Sequence, residues 1–252
     1  GRTGLKYMLA EDYIWAGWAQ SIKRLADEGK LGEIVYAEGD YTHDCRDLML
    51  ADSGGYVPYA ERSDHPEARR TWRATNLPPL FYCSHTLGPL LAAMGDRVVS
   101  AMGLNTGTRT APDLETLDLE AGLFQTEKGS VIRLTNGFTV AHPYSLYYNF
   151  VGSKGSVKMF NAGSGVFVWY SEDPAAPTES ESWQPASDEW SERSDGRSQV
   201  EAMVADFVRS ILEDIAPPLD PTRSMDFVLP GIRAHESSLE DGKKMEVPRV
   251  TA

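Results

Sequence analysis

Cysteine is scarce. Cys45 and Cys83 are the only two in 252 residues, which excludes a disulfide framework and a cysteine-rich zinc site and fits a reduced, cytoplasmic setting. Basic charge is short too: 24 Lys and Arg face 37 Asp and Glu, a formal net charge of −13. Neutralising phosphate needs a basic face, so neither nucleic acid nor a membrane surface is an expected partner. Long apolar runs are missing; residues 88–95, among the longest, fall well below the roughly 18–20 residues a bilayer helix needs. The start lacks the charged, apolar and small-residue regions of a signal peptide, and it reads as a chain that begins in the middle of something.

Signature motifs are lacking as well. No Gly-x-Gly-x-x-Gly opens a helix after a strand, so no dinucleotide fingerprint is present. There is no P-loop, and Gly-x-Ser-x-Gly is absent, residues 161–165 having the wrong spacing. The histidines stand at 43, 65, 85, 142 and 235; no two share helical spacing, so no metal site is expected.

What is there is globular: 41% hydrophobic and 24% charged residues, enough for one large domain or two small ones. Residues 5–10 are a strand candidate. Residues 13–28 have helical period through Ile14, Trp18, Ile22 and Leu25, closed by Gly29 and Gly32. Residues 33–43 alternate, which puts Tyr41 and His43 on one face. Residues 44–70 are polar and irregular, as a lid or binding loop would be. A buried helix is predicted over 86–94, then strands over 98–106, 116–126, 130–140, 145–151 and 156–160 with turn-like separators. In the second of these strands Leu117, Leu119, Ala121 and Leu123 share one face, Asp118 and Glu120 the other. Short connections imply antiparallel neighbours. Residues 171–199 are a second irregular loop, polar and acidic, with Trp183 and Trp190 as anchors. Val200, Met203, Val204, Phe207, Val208 and Ile211 form a helical stripe. Asp220-Pro221 opens a helix to about residue 239, and residues 243–248 form a last strand. The expected fold is α+β, a large, mainly antiparallel sheet with helices on one face.

Two local pairs carry chemistry. Tyr41 and His43 are co-facial on one strand, and Tyr82 and His85 are three apart at a helix entry. A phenol beside an imidazole is a workable acid–base unit, and a cation such as Arg73 lowers a phenol's pKa. Each residue alone is more often a packed or satisfied side chain. His142 and His235 read as structural and His65 as solvated.

Residues 5–13 (LKYMLAEDY), 29–35 (GKLGEIV) and 36–41 (YAEGDY), with the closing 217–220 and 230–237, resemble the substrate domain of the glucose–fructose oxidoreductase / inositol dehydrogenase / MocA family. The resemblance covers nearly the whole chain and is weakest in the two irregular loops. It implies that residues 1–252 are a substrate-binding and oligomerisation domain whose N-terminal Rossmann partner is absent from this chain. NAD or NADP would be the cofactor of the full-length protein, with none expected to bind this chain alone. Glu11, Tyr41, His43, Arg73 after Trp72, and Tyr82-x-x-His85 resemble the site of the NAD-dependent α-N-acetylgalactosaminidases. By that likeness Tyr41 is the base, Tyr82 and His85 are catalytic, and Glu11, His43, Arg73 and Trp72 hold a sugar or glycoside. The implied reaction is oxidation at the C3 hydroxyl, with His85 and His43 at the substrate hydroxyls. Plain dehydrogenases of the family carry an Asp four residues before the site histidine; here that residue is Phe81, so the usual Asp–His relay is expected to be lost. Two alternatives stand: glycoside cleavage by oxidation and elimination, and a non-catalytic sugar-binding or assembly module. A homo-oligomer through the exposed sheet face is expected.

Overall fold

The computed structural model describes residues 4–75, 77–161, 164–171, 183–185 and 195–250. Residues 5–10 are not a strand. They run as coil, tied by Leu9 N–H donating to the Leu219 carbonyl (3.0 Å), with Leu5 and Tyr7 exposed, so the apolar run does not mark burial. The helix expected over 13–28 is split. A 3-10 turn, Asp12–Trp15, is capped by the Glu11 carboxylate; Ala16 is extended, and α1 spans Gly17–Asp27. Ile22 and Leu25 are buried as their period requires.

β1 (Ile34–Thr42) comes next. The stretch 44–70 is more ordered than its composition suggests. β2 (Leu50–Asp52), β3 (Gly55–Tyr56) and β4 (Arg69–Arg70) make a three-stranded sheet, flanked by 3-10 turns at Arg46–Leu48 and Tyr59–Asp64. Two buried side chains, Met49 and Val57, and ion pairs from Arg62 to Asp113 (2.7 Å) and Arg70 to Glu115 (2.8 Å) hold it in place.

The elements that follow are α2 (Ser84–Met94), β5 (Val98–Asn105), β6 (Leu119–Thr126), β7 (Val131–Gly137), β8 (Ser145–Gly152), β9 (Gly155–Met159), β10 (Phe167–Tyr170), β11 (Gln184–Pro185), α3 (Gln199–Leu212), α4 (Pro221–Ser238) and β12 (Met245–Glu246). Nine strands form one sheet, in the order β11-β10-β9-β8-β1-β7-β6-β5-β12. The fold is α+β, and the sheet is antiparallel except between β1 and β7. Residues 138–144 join β7 to β8 by a short connection, yet β1 inserts between them and bonds to both. Most of the second irregular loop, Trp190 included, lies outside the described residues; Trp183 sits under Lys158 Nζ at 4.4 Å.

Helices cover one sheet face. Leu90 and Thr86 of α2 pack on β1 at Gly39, and at Gly103 a Cβ would stand 2.1 Å from the Ala234 carbonyl of α4. β6 is mixed: Phe124 is buried on the helix side together with Glu120. Ala121 and Leu123 are exposed on the open face, while Glu120 is fully buried under the helices, where it accepts from Leu80 N–H (2.9 Å) and the Ser238 hydroxyl (3.0 Å) and pairs with His235 Nδ1 (2.8 Å). Alternation is thus correct, and hydrogen-bonded partners let the Glu120 carboxylate share the inner face with Phe124. In α3 the outcome is similar. Polar contacts, Trp15 Nε1 to Asp206 (2.8 Å) and Gln199 to Asp12 (2.5 Å), orient the helix, and Val200, Val204, Val208 and Ile211 stay exposed. Among the described residues no helix is long and apolar enough to cross a membrane.

Gly231 of α4 packs against the segment leading into α2: a Cβ there would stand 2.1 Å from the Leu80 carbonyl and 2.3 Å from Cys83 Sγ. Helix propensity alone would make Gly231→Ala stabilising by about 1 kcal/mol. The clash reverses the sign. A loss of about 3 kcal/mol is expected in denaturant unfolding, and an unchanged midpoint would contradict this packing.

Candidate active site

Tyr41 lies near the end of β1, flanked by Asn136 of β7 and Leu146 of β8, and its ring points to the helix side. The chain stays extended past the strand because His43 N–H donates to the Gly137 carbonyl (3.0 Å) and Cys45 N–H to that of Phe138 (2.7 Å). Tyr41 and His43 therefore project together, with ring centroids 5.2 Å apart.

The second pair arrives on the segment that enters α2. A 3-10 turn at Pro79–Tyr82 is pinned from below: Asn136 Nδ2 donates to the Pro79 carbonyl (3.1 Å), and Glu120 receives Leu80 N–H (2.9 Å). This sets Tyr82 nearly parallel to Tyr41 at 5.9 Å and His85 edge-on to both, at 4.7 Å from Tyr82 and 5.5 Å from Tyr41. The Tyr148 hydroxyl donates to the His85 carbonyl.

His85 also has a carboxylate. Glu11 is only 2% exposed, and both its oxygens stand 2.8 Å from His85 Nδ1. Tyr13, whose N–H donates to Glu11 (3.2 Å), stacks on the imidazole at 4.4 Å. The Asp of the plain dehydrogenases' relay has no counterpart here, but a different carboxylate stands beside His85. Phe81 does not face the site, its ring lying 5.0 Å from His235, and Glu11 pairs with His85 instead. With Nδ1–H donated to a carboxylate, Nε2 is left as the acceptor, the tautomer a general base uses.

Burial holds the Tyr41 phenol well above its ordinary range, Tyr144, Tyr82 and Cys45 push the same way, and only Arg73 opposes them. The expectation that a cation brings this phenol down is thus overturned, because desolvation outweighs it. Burial raises Tyr82 and Tyr13 too, and pushes the Cys45 thiol up to about 11. Burial, then Arg73, lowers His43, keeping it neutral. No hydrogen bond engages the hydroxyl of Tyr41 or Tyr82 among the described residues.

Glu11, Tyr41, His43, Tyr82 and His85 are thus brought together, and Arg73 acts on Tyr41, Tyr82 and His43. Trp72 is not one of the gathered rings. It is 54% exposed, and its ring contact is the Arg73 guanidinium at 4.5 Å. Sequence reasoning missed Tyr13, Tyr144 and Phe138. Tyr144 lies 5.8 Å from Tyr41 and 5.3 Å from His43, and shares a 3.0 Å hydroxyl contact with Tyr13. Its place just after His142-Pro143 read only as a turn.

Among the described residues two groups present metal-type ligand atoms within 4.8 Å of one another: Glu11, Asp12 and His85, and Asp52, His65 and Glu67. In each, two members are close in sequence and the third comes from elsewhere in the chain. Glu11 is already occupied by His85 and Tyr13. For a dinucleotide the fit is one-sided, since hydroxyls and a neutral imidazole suit a sugar, while no glycine-rich strand-to-helix turn is present to cradle a pyrophosphate.

The fold is shared with solved sugar and inositol dehydrogenases. It matches levoglucosan dehydrogenase in complex with NADH and L-sorbose at a TM-score of 0.76 and 13% identity, covering 98% of this chain and 67% of that one. Scyllo-inositol dehydrogenase from Lactobacillus casei, with bound NAD(H) and scyllo-inositol, matches at 0.63 and 17%, covering 96% and 65%.

In sequence the chain is homologous to glycosyl hydrolase family 109 proteins. The one from Streptomyces filamentosus is 30% identical over 174 residues, 61% of this chain and 33% of that protein. The α-N-acetylgalactosaminidase of Bacteroides fragilis is 26% identical over 181 residues, 63% and 40%. The chain spans about a third to a half of the length of such relatives. No family model matches it.

Proposed function

We propose that this chain is the substrate domain of an NAD(P)-dependent enzyme that acts on a sugar or glycoside. The observation that carries the reading is the buried Glu11–His85 pair beside two phenols without hydrogen-bond partners, Tyr41 and Tyr82. In this reading the sugar lies in the aromatic cleft, its C–H face against the rings. His85 Nε2 takes the proton of the C3 hydroxyl, and Glu11 steadies the imidazolium that results. Tyr41 takes the C2 proton, Tyr82 holds its ring in place, and neutral His43 binds a neighbouring hydroxyl. A nicotinamide dinucleotide held by the rest of the protein would supply the hydride acceptor. The exposed Val200, Val204, Val208 and Ile211 of α3 suit a surface that a further domain covers.

The names of the homologues favour glycoside cleavage over simple oxidation. The two separate in one assay of the full-length protein with NAD and an aryl glycoside. Cleavage releases the aglycone with no net NADH, whereas a plain dehydrogenase accumulates NADH. Neither product would refute both.

The open sheet face supports self-association. Met102, Leu104, Leu123 and Val131 are exposed there, and a groove of about 360 Å³ runs between Met102, Leu104, Ala121 and Leu123. Light scattering at micromolar concentration is expected to give a multiple of the protomer mass, with Leu123→Asp returning it to one protomer. A monomeric parent would end this proposal.

A further inference from the structure

The segment that carries Tyr82 and His85 is gripped at one peptide group. The carbonyl of that group, from Pro79, accepts from Asn136 Nδ2 (3.1 Å), and its N–H, from Leu80, donates to Glu120 Oε2 (2.9 Å). Asn136 and Glu120 stand directly opposite each other on β7 and β6, and both are fully buried. Asn136 Oδ1 also receives the hydroxyl of Thr86, the neighbour of His85 (3.4 Å). Burying two polar side chains is costly where apolar ones of like size would pack. What they add is orientation. A peptide plane held at both edges cannot rotate, and Tyr82 and His85 follow directly in the chain.

The grip depends in turn on α4. Glu120 Oε1 is held there by His235 Nδ1 (2.8 Å) and the Ser238 hydroxyl (3.0 Å). Ser238 shares its single proton with the His235 carbonyl (2.8 Å), so His235 is the fuller donor. The other contacts of α4 fix where the segment lies: Phe227 packs at Gly88, its carbonyl accepts from the Cys83 thiol (3.2 Å), and Gly231 packs at the Leu80 carbonyl. Phe227, Gly231 and His235 recur at every fourth residue, one stripe along the helix. At the end of that stripe, His235 reaches through Glu120 to the peptide that sets the segment's rotation.

We infer that His235 is a positioning residue of this site: it aims the Glu120 carboxylate at the Leu80 N–H and so sets Tyr82 and His85. This rests on the sugar-site reading above and extends it to a residue on α4. Without His235 the buried carboxylate loses its main partner on that side. It must then turn to another donor or take up a proton, and either weakens its hold on Leu80 N–H.

The test uses the full-length protein with NAD. It compares His235→Leu, which removes the donor, with His235→Asn, whose amide nitrogen can stand in for Nδ1. One readout is turnover of a sugar or glycoside the parent accepts, per folded molecule by circular dichroism. The other is amide hydrogen exchange at Leu80. His235→Leu is expected to lower kcat by about tenfold to a hundredfold with KM within about threefold, the effect of a misplacement of about 1 Å. It should also speed Leu80 exchange by about tenfold or more. His235→Asn should bring both most of the way back. A residue that only stabilises the fold would change the folded fraction and leave kcat of the folded enzyme alone. Ser238→Ala, which removes the weaker donor to the same oxygen, should move both readouts the same way by about twofold to fivefold, and it decides the matter if His235→Leu does not fold. Parent values of kcat or of Leu80 exchange in His235→Leu overturn the inference and leave the sugar reading standing. So does a His235→Asn variant as impaired as His235→Leu. A parent that turns over no sugar or glycoside overturns the sugar reading instead, and Leu80 exchange then decides alone whether His235 holds the peptide.

Discussion

Glu11→Gln in the full-length, NAD-loaded protein is expected to lower kcat by about 10²–10⁴ with little change in KM. The substitution is nearly isosteric, and its amide oxygen still receives the Tyr13 N–H now held by Glu11 at 3.2 Å. What it removes is a negative charge 2.8 Å from His85 Nδ1. In the proposed reaction His85 takes a proton, and that charge stabilises the cation formed; an amide does not. The amide can also donate to Nδ1, which puts the proton on Nε2 and disables the base. A folded variant with unimpaired kcat would remove His85 from the chemistry. Glu11→Ala is less informative, since it orphans a buried N–H at a cost of about 1–3 kcal/mol.

Tyr41→Phe carries the second large effect. The ring keeps its neighbours, Tyr82 at 5.9 Å and Phe138 at 5.7 Å, and no described hydrogen bond is lost, so the fold should change by no more than about 0.5 kcal/mol. Proton abstraction at C2 should fall by about 10²–10⁴. The pH profile adds a readout that packing alone would not move. Burial raises the Tyr41 phenol, so the phenolate grows in with rising pH, and the parent rate should climb across the alkaline side while the Phe variant stays flat. The sign for stability is opposite. A phenol raised in the folded state favours folding below its unfolded value of about 10, and that contribution fades as the pH climbs higher, so the rates are to be compared below it.

The helix side of the site was legible because short-range rules govern it. Alternation along β1 paired Tyr41 with His43, and the i, i+3 step before α2 paired Tyr82 with His85. The partner of His85 was not legible, because Glu11 reaches it across the fold from a 3-10 turn and no local pattern marks that contact. The same holds for Tyr144, carried by the connection that passes over β1. Periodicity also does not say which face is inner. Glu120 is buried because Leu80, His235 and Ser238 satisfy its carboxylate, while Leu123 faces outward. The parallel β1–β7 pair escaped for a related reason: connection length constrains neighbours in sequence, and β1 comes from much earlier in the chain.

The most direct measurement is made in deuterated water. The full-length protein, loaded with NAD and given a glycoside it cleaves, should yield sugar with one deuterium at C2, placed there when the proton lost to Tyr41 is replaced from solvent. Product sugar that retains its original hydrogen at C2 would show that no base acts at that carbon, and the role proposed for Tyr41 would fall.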